Sequence, residues 1–126
     1  MIGLTPRPPS PRAPRAQGDE FERAAEALLT RAGLTLVARN WSCRRGEIDL
    51  VMRDGATLVF IEVRKRSGSR FGGAAESIGP HKRERLRAAI SLYLAGLAQE
   101  PACRIDAVLF ESGKPPQWLQ NIFEAA

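Results

Sequence analysis

Residues 44–66 read RRGEIDLVMRDGATLVFIEVRKR. Two apolar runs, 47–53 and 57–64, have the length and the Val/Ile/Phe content of strands. Asp54-Gly55 lies between them, and Asp-Gly flanked by alternating apolar residues is a strong signal for a two-residue hairpin. Asp49, Glu62 and Arg64 are out of place in such strands, because a desolvated charge without a partner is costly. Either these residues neutralise one another or they hold something.

Register decides whether they meet. Side chains alternate along a strand, so Glu62 and Arg64 share a face with Leu58 and Phe60, and Glu47 and Asp49 share one with Val51. A turn centred on Asp54-Gly55 pairs Arg53 with Ala56, Asp49 with Phe60 and Glu47 with Glu62. Asp49 and Glu62 then lie diagonally on one face, with Cβ atoms about 7–8 Å apart or somewhat less. An odd-length loop would put them on opposite faces. Two carboxylates so placed can grip a divalent ion through oxygen ligands at about 2.0–2.6 Å. An internal ion pair with Arg64 or Arg104 accounts for the same residues, and their chemistry alone leaves both readings open.

Upstream, Phe21, Ala24, Ala25, Leu28, Leu29 and Ala32 recur at the spacing of one helix face. Asp19 and Glu22 resemble a capping box, and Gly33 suits the position just past a helix end. The spacing predicts a helix over Glu20–Ala32. Glu22 borders its apolar stripe, which points it toward the sheet as a third carboxylate, unless it serves only as the capping acid. Leu34–Asn40 reads as a strand.

Downstream, the Gly/Ser-rich stretch SGSRFGGAAES is a loop, and Pro80 suits the first turn of a second helix. Leu86, Ala89, Ile90, Tyr93, Leu94 and Leu97 form that helix's apolar stripe, behind a basic start, HKRERLR. Lys82 lies four residues before Leu86. There it can reach a phosphate at the helix N-terminus, where backbone amides favour anions, although spacing alone reads it as a solvated lysine. Cys103–Phe110 reads as a strand. PQWLQNIFEAA closes the chain with a short amphipathic turn or helix that docks Trp118, Leu119, Ile122 and Phe123. The order αβββαβ implies an α/β layer of helices on a mixed sheet.

The 126 residues suffice for one domain, at 44% hydrophobic and 26% charged content. We place it at residues 18–126. Residues 1–17, rich in Pro and Arg, cannot build a core and are expected to form an unstructured tail. The net charge of +5 and a pI near 10.0 point to a polyanion partner as well as to solubility. Cys43 and Cys103 make no CxxC pair, which argues against a zinc knuckle or a disulfide scaffold. No apolar run approaches the length of a membrane span, and the N-terminus lacks the apolar core of a signal peptide. A cytoplasmic protein is the expectation.

Order and spacing together resemble a known family. Glu22, Ala25, Leu29 and Gly33, then Asn40, Gly46-Glu47-Ile48-Asp49-Leu50, Phe60-Ile61-Glu62-Val63-Arg64, Phe71-Gly72, Lys82, Arg104-Ile105-Asp106 and the aromatic C-terminal segment are similar to the YraN family of small bacterial proteins. The likeness runs from about Gly18 to Ala126. It implies a restriction-endonuclease-like fold, similar to archaeal Holliday-junction resolvases, with a PD-(D/E)xK site. By position, Asp49 matches the metal-binding aspartate, Glu62 the acid of (D/E)xK, and Glu22 the helix-1 glutamate of the resolvase-like branch. Arg64 stands where the lysine belongs, and arginine cannot be deprotonated at working pH. Lys65, beside it, points to the other strand face.

The resemblance implies Mg²⁺ or Mn²⁺ held by Asp49, Glu62 and the Val63 carbonyl, with Glu22, Asp49, Glu62 and Arg64 as catalytic candidates. The activity it implies is that of an Mg²⁺-dependent endodeoxyribonuclease acting on structured or branched DNA, in a homodimer if both strands are cut. Arg66, Arg70, Lys82, Arg83, Arg85 and Arg87 are candidates for contacts to the nucleic-acid backbone. Arg64 motivates the alternative of a non-catalytic nucleic-acid-binding protein on a degenerate nuclease fold. A third reading makes Asp49, Glu62 and Arg64 a structural ion network in an interaction adaptor.

Overall fold

A computed structural model describes residues 16–66 and 79–123, with the side chains of 16–19 and of Arg66 left aside. The Pro/Arg-rich residues 1–15, the loop 67–78 with Phe71-Gly72 and the candidate Arg70, and residues 124–126 lie outside it. The elements are α1 (Ala16–Arg31), β1 (Thr35–Cys43), β2 (Gly46–Asp54), β3 (Thr57–Arg66), α2 (Pro80–Ala95), β4 (Cys103–Glu111) and β5 (Gln117–Leu119).

The αβββαβ order is present, followed by one more short strand. The sheet runs β1-β2-β3-β4-β5. Neighbours are antiparallel except β3 and β4, which are parallel. A parallel pair needs a long crossover connection, and α2 lies within it. Helices cover both faces, so β2 and β3 read as nearly continuous apolar runs. Ala25 and Leu29 of α1 pack with Leu50, Met52, Val59, Ile61 and Val108 on one face. Leu86, Ala89, Ile90 and Tyr93 of α2 pack with Trp41, Ile48, Val51, Leu58 and Phe60 on the other. Tyr93 meets Trp41 and Phe60 edge-on at 5.4 and 5.5 Å.

Three local expectations change. Helix α1 begins at Ala16, so Asp19 lies inside its first turn and not before it. Gly33 ends the helix as expected, at φ 107°. The C-terminal segment forms a strand, not a helix, because β4 offers an open edge. Leu109 pairs with Gln117 and Ala107 with Leu119, and the Ile122 N–H donates to the Ile105 carbonyl at 2.8 Å. Trp118 reaches the α1-side core, while Ile122 and Phe123 reach the α2-side core.

The third change concerns the hairpin. Asp54 pairs with Thr57 and Leu50 with Ile61, so the turn residues are Gly55 and Ala56. Gly55 takes the positive φ of 65° that the turn demands. The loop still has two residues, so the shared face survives. The pairing slides by one position on each strand. Asp49 and Glu62 become the next positions after Leu50↔Ile61, opposite each other and not diagonal.

Candidate functional site

The β1–β2 ladder runs Arg39↔Leu50 and then Trp41↔Ile48. Asn40 and Asp49 are the positions in between. Asn40 has φ 50°, a left-handed conformation that Asn tolerates better than most residues. Alternation breaks here in both strands. Ala38 and Trp41 face the α2 side, three residues apart, as do Ile48 and Val51. Asp49 sits at this kink, where β2 stops pairing with β3. Its Oδ2 accepts a hydrogen bond from the Val63 N–H at 2.9 Å, so the carboxylate takes over a bond that the ladder no longer supplies.

Glu62 follows Phe60 on the α2 side of β3. Asp49 and Glu62 are 6% and 2% exposed. Burial pushes the Glu62 carboxyl from its ordinary 4.5 up to about 7, and the negative charge of Asp49 pushes the same way; Lys82 and Arg64 pull back. Lys82 Nζ of α2 lies 3.2 Å from Glu62 Oε2, whereas Arg64 Nη1 lies 4.0 Å from the same oxygen. The lysine that spacing alone assigned to solvent is therefore the nearer cation. Only its place in the fold reveals this, because the crossover brings the start of α2 against the end of β3.

Glu22 is also buried, at 6%, on the stripe of α1 that carries Ala25 and Leu29. Among the described residues, no three His, Cys, Asp or Glu side chains gather closely enough to form a metal cage. Arg104 is not a partner of the Asp49–Glu62 pair. Its Nε donates to Asp106 Oδ1 at 3.0 Å and its Nη1 to Asp54 Oδ2 at 3.1 Å. Asp106, fully buried, also accepts from Trp118 Nε1 and the Asn121 N–H, each at 2.9 Å. That carboxylate ties β4 to the C-terminal segment.

The basic residues of α2 divide between two faces. Arg83 and Arg87 lie over the Phe123 ring at 5.0 and 5.5 Å. Lys82 and Arg85 line a cleft of about 460 Å³ with Ser42, Cys43, Arg44, Arg45, Gly46, Glu47 and Leu86. Arg44 and Arg45 form the two-residue β1–β2 turn, with Cys43 paired to Gly46. Sequence reasoning passed over this pair, and the only signal was a doubled arginine at a hairpin tip. Arg66 ends β3.

A magnesium-type ion takes one or two protein carboxylates and fills its other positions with water and substrate phosphate. Asp49 and Glu62 suit that. They are hard oxygen donors, buried together, and the repulsion that Asp49 exerts on Glu62 is what a shared cation would relieve.

The fold has a counterpart among solved structures. The fold is similar to that of Archaeoglobus fulgidus Hjc, a Holliday junction resolvase from an archaeal hyperthermophile solved at 1.6 Å, with TM-score 0.52 and 19% identity over 80% of this chain and 73% of that one. At that identity the likeness is one of fold, and the fold is nuclease-like. Residues 21–110 match the model of the Uncharacterised protein family UPF0102. A UPF0102 protein of Burkholderia mallei is 52% identical over 124 residues, 95% of this chain and 85% of its own. Others from Nitrosospira multiformis and Neisseria meningitidis are each 48% identical, over 87% and 84% of this chain and 94% and 93% of theirs. The chain belongs to the UPF0102 family, also called YraN.

Proposed function

We propose that this protein is a metal-dependent nuclease that hydrolyses phosphodiester bonds in structured or branched DNA. The observation that carries the reading is the burial of Asp49 and Glu62 together, at a break in the sheet, with the Lys82 ammonium 3.2 Å from Glu62. A structural ion pair would not need two buried carboxylates near enough for one to raise the pKa of the other. The fold shared with a resolvase supports the choice of substrate.

In this reading Asp49 and Glu62, with the Val63 carbonyl, hold Mg²⁺ or Mn²⁺. Such an ion, when bound, supplies a water acidified toward neutral pH and a counter-charge for the phosphate. The Val63 N–H fixes the orientation of Asp49. Lys82 favours the ionised, ligating form of Glu62, and its amine takes the place left by the missing strand lysine. Lys82 and Arg64 thus bring an ammonium and a guanidinium to the same oxygen of Glu62. Arg64 is suited to bind the anionic transition state. Glu22, buried on α1, does not gather with Asp49 and Glu62 into one group of acids among the described residues, so the pair carries the metal site without it. A homodimer would bring two such sites to a junction.

The test is incubation of the purified protein with linear, flapped and four-way DNA in Mg²⁺ or Mn²⁺, beside Asp49→Ala and Glu62→Ala. Cleavage of the branched substrates, abolished by either substitution, is expected. Cleavage that survives both sinks the assigned site. Arg64 in the lysine position favours one second reading, a binding protein on a nuclease fold; it predicts salt-sensitive DNA binding with no cleavage in any metal.

A further inference from the structure

The β1–β2 turn is pressed against α2. A Cβ built on Gly46 would stand 2.6 Å from the Arg85 carbonyl oxygen, so only glycine allows this approach. This close packing places Arg44 and Arg45 of the turn opposite Lys82 and Arg85 of the helix, across a cleft of about 460 Å³. Among the described residues of the lining, four cations face one acid, Glu47. Among the described residues, Arg44, Arg45 and Arg85 have no ion-pair partner, unlike Arg39 with Glu26 or Arg104 with Asp106. All three are exposed. Like charges held this close repel, and a bound anion relieves that repulsion. The α2 N-terminus adds to the field, because its first turn carries no acid and its cap makes no side-chain hydrogen bond. Lys82 belongs to both places: it lines the cleft and touches Glu62.

We propose that the cleft between the Arg44-Arg45 turn and the first two turns of α2 is a phosphodiester-binding subsite, where Arg44, Arg45 and Arg85 hold the backbone of a nucleic-acid strand that continues past Lys82 to Asp49 and Glu62. This rests on the nuclease reading for its substrate, and it separates the basic residues by function. Arg83 and Arg87, stacked on Phe123, serve packing and stay off the strand. Guanidinium groups suit the task, since their planar forks match phosphate oxygens.

Binding of a labelled four-way junction, followed by fluorescence anisotropy in Ca²⁺ at rising salt, tests it. Removing one phosphate-bound cation should flatten the slope of log K against log salt by about 0.9. Arg44→Gln with Arg45→Gln should flatten it by nearly two, Arg85→Gln by about one, and Arg83→Gln with Arg87→Gln not at all. Arg85→Lys should restore most of the slope. Circular dichroism confirms that the exposed variants remain folded. Slopes unchanged in the cleft variants, or flattened equally by the Phe123-facing pair, overturn the subsite, as does failure of the wild type to bind. Cleavage in Mn²⁺ on the same variants separates the two claims. A cleft-dependent slope without cleavage keeps the subsite and removes the nuclease. Cleavage with no dependence on the cleft does the reverse.

Discussion

Glu62→Gln should make the protein more stable at neutral and alkaline pH, and the size of the gain follows from the site. The Glu62 carboxyl is raised from 4.5 to about 7, first by burial and then by Asp49. Below pH 4.5 it is protonated in the folded and unfolded chains alike and adds nothing to the difference. Between 4.5 and about 7 the unfolded chain gives up the proton while the folded chain keeps it, so stability falls as pH rises. Above about 7 both forms are ionised and the whole penalty persists. At about 1.4 kcal/mol per pH unit, the displacement amounts to about 3 kcal/mol. Gln keeps the shape and removes the charge. In thermal or urea unfolding, wild type and Glu62→Gln should therefore differ little at pH 4.5, and the variant should be about 3 kcal/mol more stable at pH 8. For a chain of this length that is roughly 10 °C in Tm. Equal pH profiles, or a variant weaker than wild type at pH 8, would refute the reasoning that Glu62 is a strained, buried acid.

Further outcomes follow from neighbouring groups. Lys82→Ala removes the ammonium that favours ionised Glu62 and should lower the cleavage rate by about 10-fold or more, and Lys82→Arg, which keeps the charge, should recover most of the rate. Asp106→Ala leaves Arg104, Trp118 Nε1 and the Asn121 N–H without their acceptor, so it should cost about 3–5 kcal/mol in unfolding assays while metal affinity of the folded fraction stays the same. Asn40→Val forces a branched side chain to φ 50°; about 1–2 kcal/mol of stability should be lost together with metal affinity, whereas Asn40→Gly should retain both. Gly46→Ala should cost about 1–3 kcal/mol through collision with the Arg85 carbonyl and weaken DNA binding.

Much of this architecture is written in short-range patterns. The apolar stripes of both helices and the strand alternation around Asp49 and Glu62 follow from periodicities that burial imposes locally. The shared face of the two carboxylates was legible because its parity depends only on loop length. The register was not, because Asp54-Gly55-Ala56 satisfies the positive φ at Gly55 in either frame, and core packing chooses between them. The break in alternation at Asn40 and Asp49 leaves no trace in hydrophobic periodicity. Lys82 looked solvated because its partner, Glu62, lies twenty positions away and meets it only through the crossover. The same holds for Arg104, whose acceptors Asp54 and Asp106 are set by the parallel β3–β4 pairing, and for the cleft, where the Arg44-Arg45 turn meets Arg85 only in the folded chain.

Calorimetric titration of Mn²⁺ into the wild type and into Asp49→Ala tests the central claim most directly, since everything proposed for this site requires that the two buried carboxylates share a cation. The account predicts saturable binding to the wild type, strengthening as pH rises through about 7 where Glu62 ionises, and no such binding to Asp49→Ala. A wild type that takes up no Mn²⁺ at pH 8, or an Asp49→Ala variant that binds it as tightly, would contradict it.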